Sequence, residues 1–308
     1  MGPTPMTSPQ ELRCRICSSS RLRLKPFGYR FNGRWLGAVE CPACGIIFID
    51  PQPTPQEIVE MYRKEYFEGD FRCGHAGSYF DEAALENLSS LPLLRRIQEY
   101  QKTGAFLEVG CAGGAFLSAA RKSGFDVKGV EFSEDAATFA REKFNIDVVT
   151  GDLVHACLPA SAFDVVFMGD VLEHLTDPLA TLREVNRVMK PNGLLVLLCP
   201  TQTNTLFSRF GFAVYAALGK NATVHLPPYH LFEYRPGSMR YLVEHCRFEV
   251  VDSVSEIIPP GEIALRGTGM QKLGKKIFQY PNYLITKLTH VLGDRIELYA
   301  RKKNGIPS

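Results

Sequence analysis

A glycine-rich turn bordered by acidic residues is the sharpest chemical feature of the sequence. In the segment FLEVGCAGG, an apolar run reaches Glu108 and continues into Gly110, Gly113 and Gly114. Glycines let the backbone approach a ligand closely, because they carry no β-carbon. A dinucleotide-binding turn would read GxGxxG and hold a pyrophosphate. This turn lacks the second glycine and has an acid before the first, which favours a ligand with an ammonium over one with a phosphate.

Two further carboxylates follow the turn at intervals of about twenty residues. The segment VKGVE ends in Glu131, and the segment GDL contains Asp152. A carboxylate at the end of a second strand can accept hydrogen bonds from both hydroxyls of a ribose. One that follows a third strand can accept from an adenine amino group. Each residue alone is typical of a solvated strand end or a turn, but in this order they predict a nucleoside site.

Four cysteines form two close pairs near the N-terminus. Cys14 and Cys17 lie in CRIC, and Cys41 and Cys44 lie in CPACG. Two CxxC turns can present four thiolates to a tetrahedral zinc ion, so the segment predicts a zinc ribbon. A ribbon that has lost its metal is the alternative. The five lysines and arginines between the pairs belong either to a solvated small domain or to a surface for an anionic acceptor or RNA.

Short apolar runs alternate with helical stretches from about residue 104. The runs AFLEV, VKGVE, IDVVT, FDVVFM and LLVLLCP are typical of buried parallel strands. The stretches GAFLSAARKSG, EDAATFAREKF and DPLATLREVNRVMK predict helices, the last capped by Asp177 and ended by Pro191 with Gly193. This alternation predicts an α/β fold with a doubly wound sheet, whose strand ends bring the carboxylates to one edge.

These motifs resemble, in order and spacing, those of class I S-adenosylmethionine (SAM)-dependent methyltransferases. EVGCAGG, VEFS, GDL, FDVVFMGDVLEHLTDP and VMKPNGLLVL are similar to that family's successive motifs, particularly in small-molecule enzymes with a VLEH segment. The resemblance implies a Rossmann-like, seven-stranded sheet with an antiparallel last strand, closed by RFEVVDSV and RIELYARKK. Ala112 departs from the usual glycine in the middle of the loop. The implied cofactor contacts are Glu108, Gly110, Cys111, Gly113, Gly114, Glu131, Phe132, Asp152, Leu153 and Asp170.

Three residues are candidates for the chemistry of the acceptor. Methyl transfer from a sulfonium chiefly needs alignment, and a base only if the acceptor must lose a proton. His230 and Tyr229 lie in PPYHLFEY, and His174 lies in VLEH. His230 is the preferred base, because histidine titrates near neutral pH; the alternative is a histidine that bonds to nearby backbone. His174 is expected to order the loop around the methionine moiety.

The chain divides into segments of different character. We expect a disordered tail at 1–10, a zinc ribbon at 11–50, a helical connector at 51–100 and a methyltransferase domain at 101–308. A lid at 200–235 and an insertion at 255–293 interrupt the last domain. The lid contains the apolar run LFSRFGFAVYAAL, and the insertion contains a basic, amphipathic stretch, GMQKLGKKIFQYPNYLITKLTHVL.

Composition limits the function classes. The net charge of +2 gives no overall field for nucleic acid or membrane, and the sequence predicts no stable membrane insertion. Nine cysteines and no secretion signal are typical of a cytoplasmic protein. We therefore expect a methyltransferase that uses SAM and Zn²⁺ and acts on a small-molecule or carrier-linked acceptor, such as a nucleotide- or lipid-linked sugar or a quinone. The ribbon is similar to that of bacterial sugar C-methyltransferases, which are longer. A zinc-ribbon RNA methyltransferase and an idle SAM-fold module are the alternatives, and the oligomeric state is open.

Overall fold

A computed structural model describes residues 12–62, 90–260 and 269–303. The predicted tail at 1–10 and the middle of the predicted connector lie outside these residues. The described strands are β1 Arg23–Phe31, β2 Arg34–Glu40, β3 Ile47–Asp50, β4 Gly104–Val109, β5 Phe125–Glu131, β6 Asp147–Thr150, β7 Phe163–Gly169, β8 Met189–Pro200, β9 Ala222–Val224, β10 Phe232–Glu233, β11 Phe248–Glu256 and β12 Arg295–Lys302.

The helices lie between these strands and at both ends of the predicted connector. They are α1 Pro55–Met61, α2 Ser90–Tyr100, α3 Ala115–Lys122, α4 Glu134–Phe144, α5 Pro178–Val188, α6 Leu206–Ala217, α7 Pro236–His245 and α8 Gly269–Thr289, with a 3₁₀ turn at Leu172–His174.

Seven strands form the larger sheet, in the order β11-β12-β8-β7-β4-β5-β6. Strands β4 to β8 are parallel, and β12 runs antiparallel to both of its neighbours. This confirms the predicted seven-stranded α/β sheet with an antiparallel last strand. Residues 194–197 of β8 are fully buried, because helices cover both faces of a parallel sheet. The turns after β4, β5, β6 and β7 meet at one edge.

The helix ends follow local capping chemistry. The Asp177 side chain accepts a hydrogen bond from the Ala180 amide at 2.9 Å, which confirms the predicted cap of α5. The sequence predicted that this helix ends at Pro191 and Gly193. It ends earlier, at Val188, because Met189 already belongs to β8.

A second sheet of five strands joins the N-terminal segment to the segment predicted as a lid. Its order is β10-β3-β2-β1-β9. Strands β1 to β3 come from the cysteine-bearing head, whereas β9 and β10 come from residues 200–235. Phe27 pairs with Ala222, and Phe48 pairs with Phe232. Strands from residues 222–233 therefore complete the sheet of the segment predicted as a zinc ribbon.

Helix α6 packs on the outer face of this small sheet. The rings of Phe27 and Phe212 stack with centroids 4.8 Å apart. Beneath them Leu36, Ala38 and Ile47 are fully buried. Residues 200–235 are therefore packed against the N-terminal segment. They also contact the chain that follows β7 of the larger sheet, because the Leu231 amide donates to the Glu173 carbonyl at 2.8 Å.

Candidate active site

The turn after β4 has a backbone that requires glycine. Gly110 and Gly114 have φ angles of 74° and 77°. A β-carbon on Gly110 would lie 2.4 Å from Cγ2 of Val171, and one on Gly114 would lie 2.8 Å from the β-carbon of Ala140. Ala112, where the family resemblance calls for glycine, also has a positive φ, of 46°. An alanine in this left-handed conformation is strained, whereas a glycine would not be.

The carboxyl group of Glu108 is buried, with one oxygen unpartnered among the described residues. Its side chain is buried, and no atom of the described residues makes a hydrogen bond with its Oε2. Burial raises the pKa of Glu108 well above its usual value, and the charge of Glu131 raises it further. A buried carboxyl oxygen without a partner is costly, so this site favours a ligand that brings a cation or a donor.

Glu131 braces the glycine turn. Its Oε2 accepts from the Ala112 amide and its Oε1 from the Ser133 amide, both at 2.8 Å. Burial raises the pKa of Glu131, and these backbone donors oppose the shift. Each carboxylate oxygen has a further lone pair for a ligand hydroxyl. The sequence did not predict this bracing role.

The remaining predicted cofactor contacts lie along the same edge of the sheet. Phe132 is half exposed, whereas Leu153 is buried. Asp152 accepts from the His155 amide at 2.9 Å and lies 2.8 Å from Nδ1 of the same residue. Gly113 and Cys111 are both buried. Burial raises the pKa of the Cys111 thiol, which makes it a packing residue and not a nucleophile.

His174 stands between the cofactor edge and the lid segment. Its Nδ1 lies 2.7 Å from the carbonyl oxygen of Tyr229, so that nitrogen carries the proton and donates it. The hydroxyl of Tyr62 lies 2.9 Å from the same nitrogen. Burial lowers the pKa of His174 to about 3, and the positive charge of His230 adds to the effect. The hydrogen bond to Tyr229 fixes the ring of His174, and the lowered pKa favours its neutral form.

The pKa of His230 is shifted in the opposite direction from that of His174. Its Nδ1 lies 3.6 Å from Oε1 of Glu233, and its ring centroid lies 5.0 Å from that of His174. Burial alone would lower the pKa of His230, but the facing carboxylates of Glu233 and Glu173 outweigh burial and raise it. Such a histidine can hold a proton close to neutral pH.

Glu173 completes this buried cluster. Its Oε1 has no hydrogen-bond partner among the described residues and lies 3.6 Å from Nε2 of His174. Burial raises the pKa of Glu173 to about 7, and Asp170 adds to the shift. Glu173, His174 and His230 also offer ligand atoms within 4.8 Å of one another, which a metal ion could use instead.

Asp170, predicted as a cofactor contact, has an ionic partner within the protein. Its Oδ1 lies 2.7 Å from Nη1 of Arg295, at the start of β12. Its φ of 55° turns the chain after β7. Arg295 lies 125 residues further along the chain, so no local pattern indicated this ion pair.

Sequence reasoning missed Tyr62, Glu173 and Glu233. The ring of Tyr62 makes edge contacts with Phe132, His174 and Tyr229, at centroid distances of 6.4, 6.0 and 5.9 Å. Nothing in its local sequence distinguishes it. Glu173 lies inside VLEH and Glu233 lies three residues after His230, so adjacency to the two histidines was the available signal.

The four N-terminal cysteines form a cluster, as predicted. Their sulfur atoms all lie within 4.8 Å of one another, with Cys14 and Cys44 at 3.6 Å and Cys17 and Cys41 at 3.5 Å. Zinc–thiolate bonds of about 2.3 Å in a tetrahedron place sulfurs about 3.8 Å apart. The cluster therefore has the ligand type and spacing of a structural metal site.

Residues 107–197 match a family model described as a methyltransferase domain. The match covers the glycine turn, both buried glutamates and the VLEH segment, on a seven-stranded sheet with an antiparallel last strand. Residues 107–197 are thus similar to a methyltransferase domain, on the sheet expected for the class I SAM-dependent type. A solved SAM-dependent methyltransferase from Archaeoglobus fulgidus shares the fold of this domain, with a TM-score of 0.51 and 21% identity over 77% of this chain and 97% of that one.

Curated relatives match the methyltransferase domain over part of their length. A ubiquinone biosynthesis O-methyltransferase from Hydrogenovibrio crunogenus is 26% identical over 155 residues, 46% of this chain and 62% of the relative. A demethylmenaquinone methyltransferase from Staphylococcus aureus is 34% identical over 116 residues, 35% of this chain and 48% of the relative. The chain thus spans less than two thirds of the curated relatives it matches.

Proposed function

We propose that the protein transfers a methyl group from SAM to a small-molecule acceptor. The buried, unpartnered oxygen of Glu108 beside the glycine turn is the observation that carries this proposal. The ammonium group of SAM would be the positively charged partner of this oxygen. The two ribose hydroxyls would donate hydrogen bonds to the remaining lone pairs of the Glu131 carboxylate. An idle binding module would have no use for the second, titratable cluster around His230.

The acceptor is quinone-like in this proposal. SAM supplies an activated methyl group, so the chain must align the acceptor and exclude water. The names of the two curated relatives, one for ubiquinone and one for menaquinone synthesis, support this class. A carrier-linked sugar is the second candidate, because the four-cysteine cluster resembles the ribbon of sugar C-methyltransferases.

RNA has less support as the acceptor. The basic head was interpreted either as a solvated ribbon or as a surface for an anionic acceptor or RNA, and two of its five cations between the cysteine pairs have acidic partners. Lys25 pairs with Glu40 at 3.1 Å, and Arg34 pairs with Glu57 at 2.5 Å. Partnered cations give a weaker field for phosphates than free ones.

His230 is the proposed base, with Glu233 as a positioning residue. The carboxylate stabilises the imidazolium that forms when His230 takes a proton from an acceptor hydroxyl or carbon acid. His174 is too acidic for this role, and its proton is directed at the Tyr229 carbonyl. Tyr229 precedes His230 in the chain, and its ring packs against that of Tyr62.

Zinc is the proposed ion of the four-cysteine cluster. Its role is structural, because four protein thiolates leave no open coordination position. The ion would hold together the two cysteine-bearing turns next to β1, β2 and β3. It would thereby also stabilise the sheet to which β9 and β10 are added.

An acceptor screen with labelled SAM tests the proposed function. Quinols, nucleotide sugars and RNA are offered to wild-type protein and to a Glu131→Ala variant, and SAM binding is measured by calorimetry. We expect transfer to a quinol, and weaker binding of SAM and its demethylated product by the variant. Failure of the wild-type protein to bind SAM would refute the proposal, whereas transfer to a sugar alone would replace the acceptor class.

A further inference from the structure

Helix α8 exposes its apolar residues and buries polar ones. Asn282 and Thr286 are 4% and 1% exposed, whereas Tyr280 and Leu288 are 65% and 82% exposed. The exposed apolar side chains recur every three or four residues, so they form one stripe along the helix. In a helix of a globular protein the apolar stripe faces the core, and here it faces outward. The stripe consists of Leu273, Ile277, Tyr280, Leu284 and Leu288, and continues to Val291 just past the helix.

Polar contacts fix α8 in this orientation. The Asn282 side chain accepts from the Leu206 amide at 2.8 Å and donates to the Leu292 carbonyl at 3.0 Å. The first of these bonds ties α8 to the start of α6. Turning the stripe inward would break both of these bonds.

Helix α6 extends the apolar surface. None of its residues is buried, although the helix contains a single charged residue, Arg209. Phe210 and Leu218 are 57% and 63% exposed. The ring of Phe210 stacks on that of Phe278 in α8, with centroids 5.4 Å apart. The two helices therefore form one surface, which we call the α6–α8 surface.

The charge around the α6–α8 surface is positive. Residues 269–289 contain four lysines and no acidic residue, and Lys276 is exposed next to Ile277. An open pocket of about 520 Å³ at one end of the surface is lined by Arg209, Arg235 and Val291. Burial lowers the pKa of Arg209, and the nearby charge of Arg235 lowers it further. The charge of Arg235 is partly offset by Glu40, whose Oε1 lies 3.0 Å from its Nη1. Arg209 has no acidic partner among the described residues and bonds only to Asn204, so the pocket keeps a positive charge that favours an anion.

We propose that the α6–α8 surface docks on a bilayer that contains anionic phospholipid. The apolar stripe enters the interfacial region, and the pocket of Arg209 and Arg235 receives a headgroup phosphate. In the part of the chain that the structure describes, no helix has the length and hydropathy to cross a membrane, so docking is peripheral. Because α6 follows the carboxyl end of β8, docking would bring the strand ends where the acceptor is expected to bind close to the bilayer. This last step rests on the proposed function, whereas docking itself does not.

Vesicle flotation with the full-length protein tests docking, without SAM or acceptor. Vesicles of phosphatidylcholine with phosphatidylglycerol are compared with vesicles of phosphatidylcholine alone. We expect binding to the anionic vesicles that weakens as salt rises. An Ile277→Ser/Leu284→Ser/Leu288→Ser variant should partition at least about tenfold less. The matched control, Leu24→Ser/Val251→Ser, also removes exposed apolar side chains and should bind like wild type.

A second variant tests the charge. Lys276→Gln/Arg209→Met should lose most of the preference for anionic vesicles and keep SAM binding, which also shows that it is folded. Wild-type protein that ignores anionic vesicles, or a serine variant that still binds them, would overturn the proposal. So would light scattering that shows a dimer which the serine substitutions dissociate, because the surface would then be an interface between copies. Loss of methyl transfer with intact flotation would instead count against the proposed function alone.

Discussion

Nδ1 of His230 lies 3.6 Å from Oε1 of Glu233, three residues further along the chain. If His230 is the base, His230→Ala should lower kcat by ~10²–10⁴-fold and leave SAM affinity nearly unchanged. The exposed His225 of the same segment provides a matched control, and His225→Ala should keep wild-type turnover. Steady-state rates and calorimetry with the true acceptor measure both effects. Wild-type turnover in His230→Ala would remove the base role.

The acidic limb of the pH–rate profile should move when Glu233 changes. A base works when deprotonated, so activity falls as pH drops through the pKa of His230. The carboxylates raise that pKa, and Glu233→Gln should therefore shift the limb to lower pH. Metal analysis of the purified protein tests the alternative that the cluster binds an ion. One metal ion per chain beyond that of the cysteine cluster, absent from His230→Ala, would show that Glu173, His174 and His230 bind it. That result would contradict the role of His230 as the base.

Glu108→Gln should stabilise the ligand-free protein and abolish most SAM binding. The pKa of Glu108 is raised in the folded state, so the unfolded chain releases this proton first as pH rises above about 4.5. Ligand-free stability therefore declines from that pH toward the folded-state pKa, and glutamine removes the decline. Thermal unfolding at several pH values, with and without SAM, measures both effects. Asp126→Asn, at an exposed site on β5, should change neither; an unaltered SAM response in Glu108→Gln would contradict the assigned role.

Two glycine substitutions should have opposite effects on stability. Gly110→Ala meets a positive φ and Val171 at 2.4 Å, so it should cost about 1–3 kcal/mol of unfolding free energy and weaken SAM binding. Gly211→Ala lies inside α6 with no atom within 4 Å of the new β-carbon, and should add about 0.5–1 kcal/mol. Urea unfolding of both variants measures the difference. Equal changes in the free energy of unfolding would mean that the turn after β4 can accommodate a β-carbon by shifting its backbone, which would contradict the prediction.

Purified protein should contain about one zinc per chain, in line with a single four-thiolate site. Cys14→Ser/Cys41→Ser should lose the metal, whereas Cys157→Ser, at an exposed cysteine elsewhere, should keep it. Because β9 and β10 pair with head strands, hydrogen exchange should also increase at residues 222–233 of the double variant. Protein purified without chelator that contains no zinc would reject the ribbon.

The sequence predicted the large sheet well because its determinants are local. Continuous apolar runs, the cap at Asp177 and the glycines of the first turn each act within a few residues. The same locality predicted Glu108 and Glu131 at strand ends, and the cysteine cluster through its CxxC spacing.

The parts that the sequence did not predict depend on contacts between distant segments. Tyr62 reaches His174 across 112 residues, and Arg295 reaches Asp170 across 125. The stretch containing α8 was recognised as amphipathic, but period alone does not tell which side faces water. That Asn282 and Thr286 face inward follows from the bond to Leu206, which no local pattern encodes.

The register of β9 against β1 has a consequence for the order of synthesis. Ala222 pairs with Phe27, so the outer edge of β1 has no neighbour until most of the chain has left the ribosome. The same holds for β3, which waits for Phe232. Bare strand edges are templates for pairing with other chains. A fragment limited to residues 12–50 would keep its four thiolates and still present two unpaired strand edges, so we expect it to associate with other chains more readily than the full-length protein.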